Sequence, residues 1–435
     1  MTTSTATTST PPPLPQSLAG KKILLVNHSD TLGGAAIVTY RLMQALLHAG
    51  LDVKMLVYTK TSRNNLIGTL GTRFTRGMSF LLERVKIFWY NGFSYENLFK
   101  VSTGEFSFGI ASHPWVKEAD IVCLNWINQG LMGVKDLLKL HRAGKKLVWT
   151  MHDMWSMTGI CHHSYECDRY EEQCGNCPFL GGASRPGDIS HRIWKRKHDI
   201  YSRVPVKFVS VSSWLEKRAR KSSLLRSADV RTIPNAFPVD EFFTDPRRVV
   251  PNLEPYTDKK IILFGAARLD DPIKGIDMAV EALNYIFDNY PEVASECVAV
   301  FYGSIRDASI LDGLRMNHYF TGRINDPKII RHLNSIAKVS LSTSLYETLP
   351  GTIIEGQAGG AIPVTFGRGG QTDIVDHLST GYIADYRDVQ SIVKGILWAL
   401  DADISRVDLH ESVREKFSAQ SVAEKYIDLF SEFYE

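Results

Sequence analysis

The chain has 435 residues, 44% of them hydrophobic and 22% charged, too long for one ordinary core and suited to two or three globular domains. Its 50 basic and 47 acidic residues leave a net charge of only +3, so bulk charge demands no nucleic-acid partner. No run of about eighteen apolar residues occurs, which excludes a helix built to span a bilayer.

Residues 1–18 (MTTSTATTSTPPPLPQSL) have neither a basic start nor an apolar run. They read as a disordered tail over 1–19 rather than a signal peptide, and a cytoplasmic protein is expected. Residues 22–27 (KILLVN) form a short continuous apolar run, as for a central parallel strand buried on both faces. A Gly pair, Gly33-Gly34, then helical periodicity over 35–48 and an apolar run at 53–57 complete a βαβ unit. Further strands are expected at 121–124, 146–151, 207–211 and 230–233, each separated by helix-length segments. A Pro-rich, charged stretch at 234–259 breaks the alternation, which resumes at 261–264, 298–301, 339–341 and 362–365. Two doubly wound α/β domains with a ligand crevice at their strands' carboxyl ends follow from this pattern. The expected boundaries are 20–240 with a Cys-rich insert at 152–182, then 241–415, then a C-terminal helix at 416–435 packing back on the first domain.

Chemistry concentrates in a few segments. Residues 344–351 (SLYETLPG) place Glu347 and Leu349 in a loop, Gly351 at a helix start and Glu355 within that helix, where N-terminal amides favour anionic or hydroxyl ligands. This spacing of two acids resembles the hallmark of glycosyltransferase family 4. The resemblance implies that Glu347 reaches a donor sugar's hydroxyls and Glu355 holds a ribose. It covers nearly the whole chain after residue 20, and implies the GT-B fold, two Rossmann-like domains facing an interdomain cleft. It also implies retention at the anomeric carbon. Residues 265–275 (GAARLDDPIKG) deliver Arg268 and Lys274 to a strand's carboxyl edge, where cations stabilise a departing diphosphate without a catalytic metal. By resemblance these two do that work, although Ala267 stands where the family usually has Gly and the loop is one residue longer.

Gly33 and Gly34 let backbone amides approach a phosphate, but lack the spacing of a dinucleotide-binding turn. His152 ends an apolar strand, and the family has a His there close to the reacting sugar. Ile324, in the segment TGRI at 321–324, resembles the loop facing the nucleotide base, and Asn235 the interdomain turn. Asp401-Ala402-Asp403 looks like a metal motif but ends a late helix, and reads as solvated surface.

Cys161, Cys167, Cys174 and Cys177, four of the chain's six cysteines, sit in one short insert with His162 and His163. In a cytoplasmic protein such clustering suits a structural zinc, with disulfides or packed thiols as alternatives. Residues 152–178 resemble a subgroup of family 4 that builds bacterial exopolysaccharides, including the colanic acid type. Residues 73–90 (RFTRGMSFLLERVKIFWY) read by default as a core helix; a basic amphipathic helix also suits anionic lipid.

The resemblance implies a retaining hexosyltransferase in the cytoplasm moving sugar from a UDP or GDP donor to a saccharide or lipid-linked acceptor; a lipid-linked acceptor would bring peripheral contact with the inner face of the membrane. A nucleotide-sugar epimerase of the same fold, converting the donor without an acceptor, and a zinc-stabilised binding protein are the rival readings.

Overall fold

The computed structural model describes residues 14–107, 109–243, 253–256 and 258–435. The chain divides into two compact units. The first comprises the described residues up to Val211, with Glu216–Ala236 and Ala419–Glu435; the second comprises Ser212–Leu215 and Phe237–Ser418.

The first unit is built on a seven-stranded, wholly parallel sheet: β1 (Lys22–Ser29), β2 (Asp52–Thr59), β3 (Ile67–Thr69), β4 (Ile121–Leu124), β5 (Lys146–Met151), β6 (Lys207–Ser210) and β7 (Asp229–Thr232). Its order is β3-β2-β1-β4-β5-β6-β7, so the chain reverses direction across the sheet between β1 and β4. Such a switch point opens a crevice at the strands' carboxyl ends. The helices are α1 (Gly34–His48), α2 (Arg73–Tyr90), α3 (Pro114–Glu118), α4 (Asp136–Arg142), α5 (Ile189–Tyr201) and α6 (Ser213–Lys221), the last of which begins among the residues grouped with the second unit.

The second unit repeats the plan with six parallel strands: β8 (Lys260–Arg268), β9 (Cys297–Ser304), β10 (His318–Phe320), β11 (Ala337–Ser342), β12 (Ile362–Phe366) and β13 (Tyr382–Ala384), in the order β10-β9-β8-β11-β12-β13. Its switch point lies between β8 and β11. Helices α7 (Ile276–Asn289), α8 (Pro291–Ser295), α9 (Ser309–Asp312), α10 (Pro327–Ile336), α11 (Gly351–Ala358), α12 (Val389–Asp401) and α13 (Arg406–Phe417) cover it. A final helix, α14 (Ala419–Ser431), belongs to the first unit. There Val422, Tyr426 and Phe430 join the apolar cluster under β1, β2 and α1, and the Tyr426 hydroxyl meets Thr150 Oγ1 at 2.8 Å.

Three strands escape the sequence pattern, β3, β10 and β13, each only three residues long and lying at or near a sheet edge, where no continuous apolar run is needed. Two expectations need correction. Residues 1–13 of the expected tail lie outside the described residues, but Gln16–Leu18 form a 3-10 turn and Leu18 is buried with Leu14 packed beside it. Two leucines in reach of the core are enough to anchor the segment. The helix at 73–90 also forms, capped by Thr72, yet its apolar face is not in the core. It buries Ser79, Glu83 and Arg84 with Ile87 and turns Phe74, Leu81, Val85 and Trp89 outward. The polar side wins the interior because Glu83 accepts hydrogen bonds from the backbone N–H of Thr103 and Gly104 at 2.8 and 3.1 Å, satisfying a buried turn.

Candidate functional site

At the second unit's switch point, Arg268 ends β8 and Lys274 follows in the 3-10 turn Pro272–Lys274, which Asp271 caps through the Ile273 N–H at 3.2 Å. Gly275 has φ of 62°, and a Cβ there would lie 2.4 Å from the Thr343 carbonyl oxygen. This close approach lets Thr343 Oγ1 donate to the carbonyls of Lys274 and Gly275, and Leu345 N–H to that of Ile273 at 2.7 Å. The loop after β8 is thereby stitched to the loop after β11. Lys274 Nζ consequently meets Glu347 Oε1 at 2.5 Å. Arg268 is held by Asp271 at 3.1 Å and lies 3.6 Å from Asp270.

Leu349 is buried, and Gly351 opens α11 behind Pro350, which supplies no side-chain cap. The first-turn amides of α11 therefore receive no cap from the N-cap side chain. A side chain at Gly351 would crowd the Phe237 ring, at 3.0 Å. Glu355 sits one turn in, partly exposed, within electrostatic reach of Tyr302 on β9. The 321–324 segment reaches the same carboxyl edge, since the Gly322 carbonyl accepts from Gly303 N–H at 3.0 Å; Ile324 is partly buried beside it. The second unit thus gathers Arg268, Lys274, Glu347, Gly351, Glu355 and Ile324 around one end of one sheet. Asp401 and Asp403 are exposed near Lys338, at the amino end of β11 and away from these residues.

In the first unit, His152 follows β5 and its Nε2 lies 3.0 Å from Asn125 Oδ1, just past β4. Burial pushes its pKa down to about 4 against a smaller opposing pull from Asp153, so it is neutral at pH 7. Asp153 accepts from Trp126 Nε1 at 2.7 Å and pairs with His162 at 2.8 Å. Gly33 and Gly34 are exposed where α1 starts, Gly33 with φ of 93° and open space around both. One residue escaped the sequence reading: His28, at the end of β1, stacks on Tyr58 at 4.7 Å and meets Trp126 edge-on. Its Nε2 is buried without a hydrogen-bond partner, and burial lowers its pKa to about 4. The strand-end logic that selects His152 would have selected it too.

The four clustered cysteines are free thiols, three buried and Cys167 partly so. All four line one cavity of about 20 Å³. Cys174 Sγ accepts the Gly159 N–H at 3.1 Å, and burial pushes Cys174 up to about 11 and Cys177 to about 12. Beside them the buried Lys197 donates to the carbonyls of Trp155 and Thr158 at 2.5 and 3.0 Å. Among the described residues no group of three or more His, Cys, Asp or Glu is already positioned to hold a metal ion. His162 faces Ser102, Asn128 and Asp153 instead.

Two parallel Rossmann-like sheets of this kind are the architecture of the GT-B fold. Residues 248–416 match the family model described as Glycosyl transferases group 1, so the second unit carries a domain of that kind. Over 56 residues the chain is 36% identical to the putative colanic acid biosynthesis glycosyl transferase WcaC of Escherichia coli K12, an alignment covering 13% of this chain and 14% of that protein. Among solved structures, Anabaena Alr3699/HepE in complex with UDP and glucose superposes with a TM-score of 0.61 at 14% identity, over 95% of this chain and 100% of that one. WaaG, a glycosyltransferase involved in lipopolysaccharide biosynthesis, gives 0.59 at 14% identity, over 94% and 99%.

Proposed function

We propose that the protein is a retaining, metal-independent glycosyltransferase of family 4 in bacterial surface polysaccharide synthesis, acting in the cytoplasm. Its donor is a UDP- or GDP-sugar and its acceptor a saccharide or lipid-linked saccharide. The observation that carries this reading is the cation-carboxylate edge at the second unit's switch point, with Lys274 held 2.5 Å from Glu347 and Arg268 beside it. The group 1 match and the short likeness to WcaC support it.

In this mechanism the bond from the anomeric carbon to the diphosphate breaks as the acceptor oxygen bonds to that carbon on the same face. The acceptor's proton passes to a phosphate oxygen of the leaving group. Arg268 and Lys274 bear the charge that develops on the diphosphate. Glu347 binds the donor's hydroxyls, Glu355 the ribose, and the amides at Leu349 and Gly351 the diphosphate. Ile324 faces the base, neutral His152 hydrogen-bonds a donor hydroxyl, and Gly33-Gly34 approach the phosphates. Cys161, Cys167, Cys174 and Cys177 would be the ligands of a structural zinc, which would tie the insert together as a four-thiolate cross-link, a reading supported by the cavity they share.

The test is nucleoside diphosphate release from a panel of UDP- and GDP-sugars in excess EDTA, with and without a bacterial lipid extract. Release from one donor, stimulated by extract and abolished by Glu347→Ala, is expected. Conversion of the donor without release would establish the epimerase instead, and donors that neither bind nor react would sink the site assignment.

A further inference from the structure

A cleft of about 780 Å³ opens at the amino ends of β5, β6 and β7. Lys146, Lys207 and Asp229, the first residues of those strands, line it together with the end of α5, the connections before β6 and β7, and Phe433 just past α14. All of these residues belong to the first unit. His152 follows the opposite end of β5, and that strand of six residues puts roughly 20 Å between it and Lys146. Sheets of this kind hold their ligands at the carboxyl ends of the strands, so no role proposed above accounts for a cleft at the other edge.

The lining is mostly apolar. Leu147, Val204, Val206, Phe208 and Leu224 are buried, and the partly exposed rings of Tyr201 and Phe433 stand with them. The Tyr201 ring packs edge-on against Phe208 at 5.5 Å, and its hydroxyl is taken up by the Ser156 carbonyl at 3.0 Å. Three aromatic rings from three separate segments therefore share one wall system. A space of this volume, apolar with a few polar groups, is what small-molecule sites present.

The polar groups are almost all basic. His141, Lys145, Lys146, His198 and Lys207 face a single acid, Asp229, which pairs with Lys207 at 3.5 Å and Arg231 at 3.1 Å. Lys207 pairs with Glu432 as well. Lys145 Nζ donates to the carbonyls of Lys117 and Ala119, each at 2.7 Å, which fixes its position without neutralising it. Neither Lys145 nor exposed Lys146 makes an ion pair among the described residues. Two uncompensated ammonium groups thus adjoin an aromatic-lined space, on a chain whose net charge is only +3.

We infer that this cleft is a second ligand site, built for a small aromatic anion. The ligand's rings pack against Tyr201, Phe208 and Phe433, and its carboxylate or sulfonate faces Lys145 and Lys146. A neutral ligand would leave both lysines uncompensated, and a wholly polar anion would leave the apolar walls in water. The site lies at the edge opposite His152 and needs no turnover, so it stands apart from the transferase reading.

The test is fluorescence titration of the full chain with anilinonaphthalene sulfonate, with uncharged phenylnaphthylamine as the matched probe lacking the sulfonate. One sulfonate per folded chain is expected, with a dissociation constant on the order of 10 μM that weakens with salt. Lys146→Glu should weaken the sulfonate by about tenfold and the neutral probe by less than about twofold. Ser227→Trp, at an exposed position in the lining, should abolish binding of both probes by filling the cleft. Thermal melts of both variants should match the parent, because both residues are exposed. Absence of stoichiometric binding, binding that survives Ser227→Trp, or equal weakening of the two probes by Lys146→Glu overturns the inference. So does decanoate binding as tightly as the sulfonate, which would replace the aromatic ligand by an aliphatic one, or displacement of the sulfonate by UDP, which would move the probe to the nucleotide site.

Discussion

Lys274 Nζ contacts Glu347 Oε1 at 2.5 Å although 73 residues separate them in the chain. The contact forms because β8 and β11 are neighbours across the point where the strand order reverses, so the loops after both strands emerge side by side. A cation so placed has a fixed position before any charge develops near it.

Lys274→Ala should lower kcat by about a hundredfold or more while changing donor affinity by less than about tenfold. Steady-state release assays beside donor titration by calorimetry separate the two. A mutant with normal turnover removes Lys274 from the chemistry.

Gly275→Ala tests the stitching. Its φ of 62° and the 2.4 Å approach to Thr343 should together cost roughly 2 kcal/mol or more, lowering the urea midpoint. The strain falls on the loop carrying Lys274, so kcat should drop as well. An unchanged midpoint would mean that the two loops are not tightly joined.

Acid should destabilise the first unit through two half-buried histidines. His152 and His28 both have pKa values lowered from 6.5 to about 4 by burial. Above pH 6.5 each is neutral folded or unfolded and contributes no pH dependence. Between 6.5 and 4 only the unfolded chain takes up the proton, so stability falls with pH and levels off below 4. The ceiling is roughly 3 kcal/mol per histidine before solvent screening of these partly exposed side chains. Urea melts of His152→Gln should show a shallower loss over that window than the parent, and an identical slope would remove the buried neutral histidine as the cause.

The cysteine insert should hold close to one zinc per chain when the protein is purified without chelator. Metal analysis tests this, and cobalt substitution should give the intense thiolate-to-metal absorption of a tetrahedral sulfur site. Six reactive thiols after denaturation of a metal-free sample would instead leave packed free cysteines, and a mass deficit of four hydrogens would indicate two disulfides.

Phe430→Ala should destabilise the first unit by about 3–5 kcal/mol, since this fully buried ring of α14 fills the cluster shared with β1 and α1. Thermal unfolding that does not change would mean that α14 contributes little to that core.

Much of the architecture can be read from local pattern. The runs at 22–27, 53–57, 146–151 and 298–301 each fall within an observed strand. A strand buried on both faces must be apolar throughout, and that leaves a mark in any window of the sequence. The residues 318–320 and 382–384 leave no such mark, because strands at a sheet's margin need only backbone pairing. The candidate site was legible where family-like spacing concentrates it, at Glu347, Gly351, Arg268 and Lys274. His28 could have been picked by its place at the end of β1, as His152 was by its place after β5; only its packing against Tyr58 and Trp126 needed the tertiary structure.

Composition and periodicity by themselves determined that this chain forms parallel α/β sheets, because the hydrophobic demand of each central strand is local. Which side of α2 faces inward was settled only by tertiary structure. Periodicity marks an apolar face, but the backbone amides of Thr103 and Gly104 needed a buried acceptor, and Glu83 supplied it from the opposite side of the helix. The pairing of Lys274 with Glu347 likewise belongs to the sheet order, since strands distant in sequence become neighbours only when the sheet assembles.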